Sequence, residues 1–237
     1  MTGPAEMTKT AALPPFQAVL MDMDGLVLDS ESTYTRAWRL AAAEFGCGLS
    51  TEFCENLFGR HADDVERALR DLLGDSYDRR RFSRSAEFHW RAGLAKYGIP
   101  SMPGLESLLK VLRLKAIPFA LATNSDGIYA RECLERSAVA EHFPVVVTRD
   151  QVRHGKPEPD LFLEAARRLN VCPESCLALE DSETGLQAAA AAGTITILVQ
   201  RREAVRSKLG TRAYCVFASL EDVANAINSA FLAPLQQ

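Results

Sequence analysis

The sequence lacks a surplus of either charge, a long apolar run, and any metal-binding pattern of cysteine and histidine. Lys plus Arg number 27 against 31 Asp plus Glu, a formal net charge of -4. A nucleic-acid partner would favour a basic face, so none is expected. No apolar run approaches the ~20 residues of a membrane span, and the alanine-rich stretch at 188–192 stops at Gly193, so no membrane partner is expected either. The six cysteines, at 47, 54, 133, 172, 176 and 215, form no CxxC pair, and the four histidines add no zinc pattern nearby. Scattered thiols of this kind read as reduced, small apolar side chains. The opening MTGPAEMTKTAALPP has no continuous apolar stretch like that of a secretory leader. Residues 1–15 are therefore expected to be a disordered tail, and the chain to be cytoplasmic. Nothing in the composition specifies an oligomer.

What is present is an ordinary globular composition, 47% hydrophobic and 24% charged, in 237 residues. That length suits one large domain, or one domain carrying an insertion. FQAVLM (16–21) reads as a buried strand, entered after Pro14-Pro15 and ended by charge. The next stretch is helical in pattern: Ala37, Trp38, Ala41, Ala42 and Phe45 share a face, and Gly46 suits a stop. Helical pattern continues over 51–73 and 82–96, with Arg79-Arg80-Arg81 between them read as a solvated surface. From Pro103-Gly104 onward the pattern alternates. Strands are expected at 117–123, 143–148, 176–180, 194–199 and 214–217, with helices around 105–112, 127–136, 159–169, 183–192 and 220–231. Short apolar strands alternating with helices predict an α/β core, a Rossmann-like parallel sheet covered on both faces. The expected division is a core of 16–29 and 104–237, with an all-helical cap of 30–103 inserted into it.

In open parallel sheets, ligands sit beyond the carboxyl ends of the strands. The residues where strands stop here are Asp22-Met23-Asp24-Gly25, Thr123-Asn124-Ser125 and Glu180-Asp181-Ser182, with Lys156 in HGKPEPD after the 143–148 strand. Folded as predicted, these bring four carboxylates, a hydroxyl, an amide and one ammonium to one edge. Four carboxylates standing together need compensation. An oxygen-only donor set suits a hard cation, and Mg²⁺ binds through one or two carboxylates while leaving positions for substrate oxygen. A phosphoryl group would complete the balance, meeting Lys156, the Thr123 hydroxyl and backbone N–H groups near Gly25.

In this order and at these positions, DMDG with Asp29-Ser30 behind it, LATNS, GKPEPD and Glu180-Asp181-Ser182 resemble the four motifs of the haloacid dehalogenase-like superfamily. The likeness runs over about residues 16–200, and the helical insertion resembles the cap of its phosphoglycolate phosphatase, pseudouridine-phosphate phosphatase and beta-phosphoglucomutase subgroup. The resemblance implies that Asp22 is a nucleophile forming an aspartyl-phosphate, and that Asp24 is the general acid and base. It implies Mg²⁺ held by Asp22, the backbone carbonyl of Asp24 and Asp181, with Glu180 direct or through water. Thr123 and Asn124 would bind phosphoryl oxygens, and Lys156 would neutralise charge. The substrate expected is a small phosphorylated metabolite, a sugar phosphate or nucleotide-like monophosphate.

Three other readings stand beside a phosphatase. Beta-phosphoglucomutase-like enzymes carry a His twelve residues after the nucleophile, where this chain has Tyr34. A dehalogenase needs no second aspartate, so Asp24 argues against one. A non-catalytic binding module on the same fold would be marked by loss of a catalytic group, and none is missing. In the cap, Arg60 is a candidate substrate contact, Trp38 and Trp90 read as packing residues, and hinges are expected at 30–31 and 102–104.

Overall fold

The computed structural model describes residues 13–57, 62–74 and 77–231. Six parallel strands form one sheet in the order β3-β2-β1-β4-β5-β6. They are β1 (Ala18–Met21), β2 (Phe119–Ala122), β3 (Val146–Val147), β4 (Cys176–Glu180), β5 (Ile195–Val199) and β6 (Cys215–Phe217). Because β1 lies between β2 and β4, the three richest strand ends in the sequence emerge side by side. Leu20 pairs with Ala120 on one side and Ala178 on the other.

The alternation of side chains along the strands explains how both faces are covered. One face presents Val19, Met21, Leu121, Leu177, Leu179 and Ile197 to a large core shared with α5 (Leu105–Leu114), α6 (Gly127–Arg136) and α10 (Leu220–Ala230). The other presents the small Ala18, Ala120, Ala122 and Ala178 around Leu20. Against it pack α7 (Asp160–Leu169) and α8 (Glu183–Ala191), through Ala165, Ala166, Ala188 and Ala189. Small residues on both sides let these helices lie close to the strands.

Between β1 and α5 the chain leaves the sheet and, among the described residues, forms four helices: α1 (Ser30–Ala43), α2 (Thr51–Glu55), α3 (Ala62–Leu73) and α4 (Arg79–Tyr97). They enclose a separate apolar cluster that includes Ala41, Leu49, Cys54, Leu69 and Phe82. The outgoing and returning segments run together. The Asp29 N–H donates to the Pro100 carbonyl at 2.9 Å and the Met102 N–H to that of Val27 at 2.9 Å, around an antiparallel bridge between Leu28 and Ser101. Gly104, at φ +87°, starts α5 where any Cβ would run into the backbone of Glu221.

The helices and strands differ from the sequence reading in instructive places. Arg79-Arg80-Arg81 is exposed, as expected, but forms the first turn of α4 rather than a stretch between helices, because the Asp78 carboxylate caps the helix by accepting from the Arg81 N–H at 2.8 Å. The continuous helix expected over 51–73 is two helices. The strand expected over 143–148 keeps only Val146–Val147 in the ladder; Pro144 has no N–H to give, and Phe143 turns into the core. A helix α9 (Glu203–Leu209) was not expected at all; it has no side-chain cap at its start and buries only Leu209. Of the expected tail, residues 1–12 lie outside the described residues, while Leu13 packs against the main core. Among the described residues no helix is long and apolar enough to cross a membrane.

Candidate active site

Asp22 follows β1 directly, its N–H donating to the Leu179 carbonyl at 3.1 Å, so its side chain starts from the centre of the sheet edge. The loop after it folds back tightly, with the Gly25 N–H on the Leu28 carbonyl at 2.9 Å and the Leu28 N–H on that of Met23 at 2.9 Å. Gly25 sits at φ +85°, and a Cβ there would approach Asp181 Oδ2 to 2.5 Å. Glycine therefore serves both the turn and the space for that carboxylate.

Lys156 crosses from the loop after β3. Its ammonium, on a side chain 3% exposed, donates to Asp22 Oδ1 and, at 2.6 Å, to Glu180 Oε1. Asn124 positions that lysine: its Oδ1 accepts from the Lys156 N–H at 2.8 Å and its Nδ2 donates to the Lys156 carbonyl at 3.2 Å. The Asn124 carboxamide expected on a phosphoryl oxygen is thus turned to the backbone of Lys156. Glu180, fully buried, uses its second oxygen to accept from the Asp181 N–H at 3.2 Å and the Ser182 hydroxyl at 3.1 Å. It is Ser182, accepting from the Gly185 N–H at 3.1 Å, that caps α8; Asp181 is left to face the site.

Asp22, Glu180 and Asp181 each bring a carboxylate oxygen within 4.8 Å of the others'. Three carboxylates against one ammonium leave two negative charges in a buried place. Burial, then the Glu180 and Asp24 charges, push Asp22 up to about 8 against the pull of Lys156. Burial, Asp22 and Glu180 raise Asp181 well above the usual carboxylate range. Asp22 and Glu180 raise Lys156 in spite of its burial. This donor set, all oxygen and short of two positive charges, fits a hard divalent cation.

The Asp24 carboxylate stands outside this group. It accepts from the Ser125 hydroxyl at 2.8 Å, the Tyr129 hydroxyl at 3.2 Å and, more weakly, the Thr123 hydroxyl at 3.4 Å. Thr123, buried at the end of β2, also accepts from the Ser125 N–H at 3.0 Å. A cavity of about 740 Å³ opens over these groups, with Tyr34 from α1 on one wall and Arg202 and Lys208 on another. Arg202 donates to the Glu55 carbonyl of α2 at 3.0 Å, and Gln200 donates to the Asp181 carbonyl at 3.2 Å.

The structure thus brings together Asp22, Asp24, Gly25, Thr123, Asn124, Lys156, Glu180 and Asp181; Arg60 lies outside the described residues. The sequence reading missed Ser125, Tyr129, Gln200 and Arg202. Ser125 stood within LATNS, and Gln200 and Arg202 follow the end of β5, so strand ends signalled them; Tyr129, inside α6, carried no signal.

Fold and site together define a capped α/β hydrolase built around a carboxylate–lysine cluster at the carboxyl edge of a parallel sheet. The chain belongs to the haloacid dehalogenase-like hydrolases, whose family model matches residues 16–193. It is 31% identical over 177 residues to a phosphorylated carbohydrates phosphatase of Thermotoga maritima, covering 75% of this chain and 82% of that one. It is 28% identical over 188 residues to a beta-phosphoglucomutase of Bacillus subtilis, covering 76% and 82%. Among solved structures, a hydrolase of the same family from Deinococcus radiodurans R1, crystallised with bound phosphate and sodium, superposes with a TM-score of 0.78. It is 29% identical, and the match covers 93% of this chain and 98% of that one.

Proposed function

We propose that the chain is a Mg²⁺-dependent phosphatase that hydrolyses a small phosphorylated metabolite, a sugar phosphate or nucleotide-like monophosphate, through an aspartyl-phosphate on Asp22. The observation that carries this reading is the Asp22 carboxylate itself. It is tied to Lys156 at the sheet edge, grouped with Glu180 and Asp181, and has a differently bonded Asp24 two residues on. The likeness to a carbohydrate-phosphate phosphatase supports the substrate class.

Mg²⁺ would be held by Asp22, Asp181 and Glu180 with the Asp24 carbonyl, and when bound it supplies positive charge to the phosphoryl oxygens. The chain's own groups do the rest. Lys156 draws Asp22 toward its ionised form and orients it, while Thr123 and the N–H groups around Gly25 receive phosphoryl oxygens. Asp24 protonates the leaving oxygen and then takes a proton from the water that releases phosphate. Asn124 acts by holding the Lys156 backbone. The cap opens on hinges at 30–31 and 102–104, next to the paired segments around Leu28 and Ser101.

Purified protein with Mg²⁺ and a panel of phosphate esters tests the proposal: turnover is expected for sugar or nucleotide-like monophosphates, and Asp22→Asn should abolish it while the far-UV spectrum is unchanged. Turnover surviving that substitution would remove Asp22 from its role, and no turnover on any ester would favour the binding-module reading. The likeness to a beta-phosphoglucomutase keeps a mutase as a second reading. A requirement for a bisphosphate activator in the same panel would select it.

A further inference from the structure

We propose that Tyr129 and Ser125 are positioning residues for Asp24, which is held by hydroxyl groups so that it can give and take a proton without losing its hydrogen bonds. The inference rests on the acid–base role assigned to Asp24 above.

Two carboxylates separated by one residue have opposite surroundings. Asp22 meets an ammonium, which can only donate and so favours the carboxylate form of its partner. Asp24 meets Ser125, Tyr129 and Thr123, all hydroxyls, spread over both of its oxygens. A hydroxyl donates to a carboxylate and, after rotating, accepts from a carboxylic acid. Such a shell serves both forms that an acid–base group must pass through.

Tyr129 is also fixed from its other end. Its ring stacks on Trp90 of α4, centroids 5.4 Å apart and planes 14° from parallel. Trp90 in turn stacks on Tyr34 of α1 at 5.5 Å and 11°, and its Nε1–H donates to the Thr33 hydroxyl at 3.1 Å. The phenol is therefore held by the cap through its ring and by Asp24 through its oxygen. With the cap seated on the core, Tyr129 ties cap position to the direction in which Asp24 points.

The chemistry fixes what this should affect. In the first step the Asp22 oxygen bonds to phosphorus, the bond from phosphorus to the leaving oxygen breaks, and the Asp24 proton moves to that oxygen. In the second, a water oxygen bonds to phosphorus, the bond to Asp22 breaks, and one water proton returns to Asp24. A sugar alkoxide needs the proton of the first step; a nitrophenolate leaves without it.

The test measures kcat/KM for wild type, Tyr129→Phe and Ser125→Ala, saturated with Mg²⁺, over esters from alkyl and sugar phosphates to 4-nitrophenyl phosphate. One hydrogen bond to a charged carboxyl corresponds to roughly tenfold in rate. Each variant should lose about tenfold in kcat/KM on the alkyl esters and less than about threefold on the nitrophenyl ester, because kcat/KM reports the first step, whereas kcat also carries the second, in which Asp24 serves every ester alike. Tyr129→Phe keeps the stacked ring, so its thermal midpoint should match wild type. A loss equal across the whole series, or none, in both variants would reduce Tyr129 and Ser125 to packing and overturn the proposal. Absence of wild-type turnover would overturn the phosphatase reading along with it.

Discussion

Replacing Lys156 by Met tests the charge balance on which the site depends, without measuring catalysis at all. The Lys156 side chain is 3% exposed, and those of its two carboxylate partners, Asp22 and Glu180, are 11% and 0% exposed. Met keeps most of the aliphatic stem but removes the ammonium, which lies 5.0 Å from the centroid of the Phe162 ring, and leaves three carboxylates with no cation. Glu180 retains the Asp181 N–H and the Ser182 hydroxyl on its other oxygen, so the loss falls most heavily on Asp22. Breaking a buried ion pair from one side costs about 3–5 kcal/mol. Asp22, already pushed up to about 8, can take a proton and hold the cost near the low end, about 3 kcal/mol. For a chain of this size that lowers the melting midpoint by roughly 6–12 °C. The assay is thermal unfolding at pH 7.5 in chelator and again in Mg²⁺. With Mg²⁺ at 100 times its own Kd the variant should recover about 2.7 kcal/mol, and at that same Mg²⁺ concentration its upward shift should exceed that of wild type, because the metal then supplies the only positive charge in the cluster and binds more tightly. A variant that melts with wild type in chelator would refute the reasoning, as would one that Mg²⁺ does not stabilise.

Two further outcomes are expected. Metal-free wild type should lose stability between pH 6 and pH 8. Asp22 has a folded-state pKa raised above its unfolded one, so the folded state binds more protons in that window and stability falls as pH rises. Urea unfolding in chelator at the two pH values checks the sign; a rise toward pH 8 would contradict it, and Mg²⁺ should flatten the dependence. Gly185→Ala should weaken Mg²⁺ binding by about 10–100-fold, because its Cβ would overlap the Glu180 carboxyl group that touches both Lys156 and the cluster. Calorimetric titration with Mg²⁺ reads this directly, and unchanged affinity would show that Glu180 has no part in the metal site.

The parallel sheet, the helical insertion and the gathering of Asp22, Asp24, Thr123, Lys156, Glu180 and Asp181 at one edge were legible in the amino-acid order. The physical reason is local: short apolar runs covered on both faces must be parallel strands, and in such sheets the residues at the strand ends share an edge. Side-chain caps such as Asp78 set where helices begin, and apolar periodicity alone cannot see them. What each polar group does with its hydrogen bonds was decided only by tertiary structure. Asn124 faces the Lys156 backbone rather than the open cavity, Tyr129 reaches Asp24 from within a helix, and Trp90 leans on Tyr129 across the seam between cap and core. Those partners lie 32 to 105 residues apart in the chain for the two hydrogen-bonded pairs. Their meeting is set by how helices pack on the sheet, which no short stretch of sequence encodes.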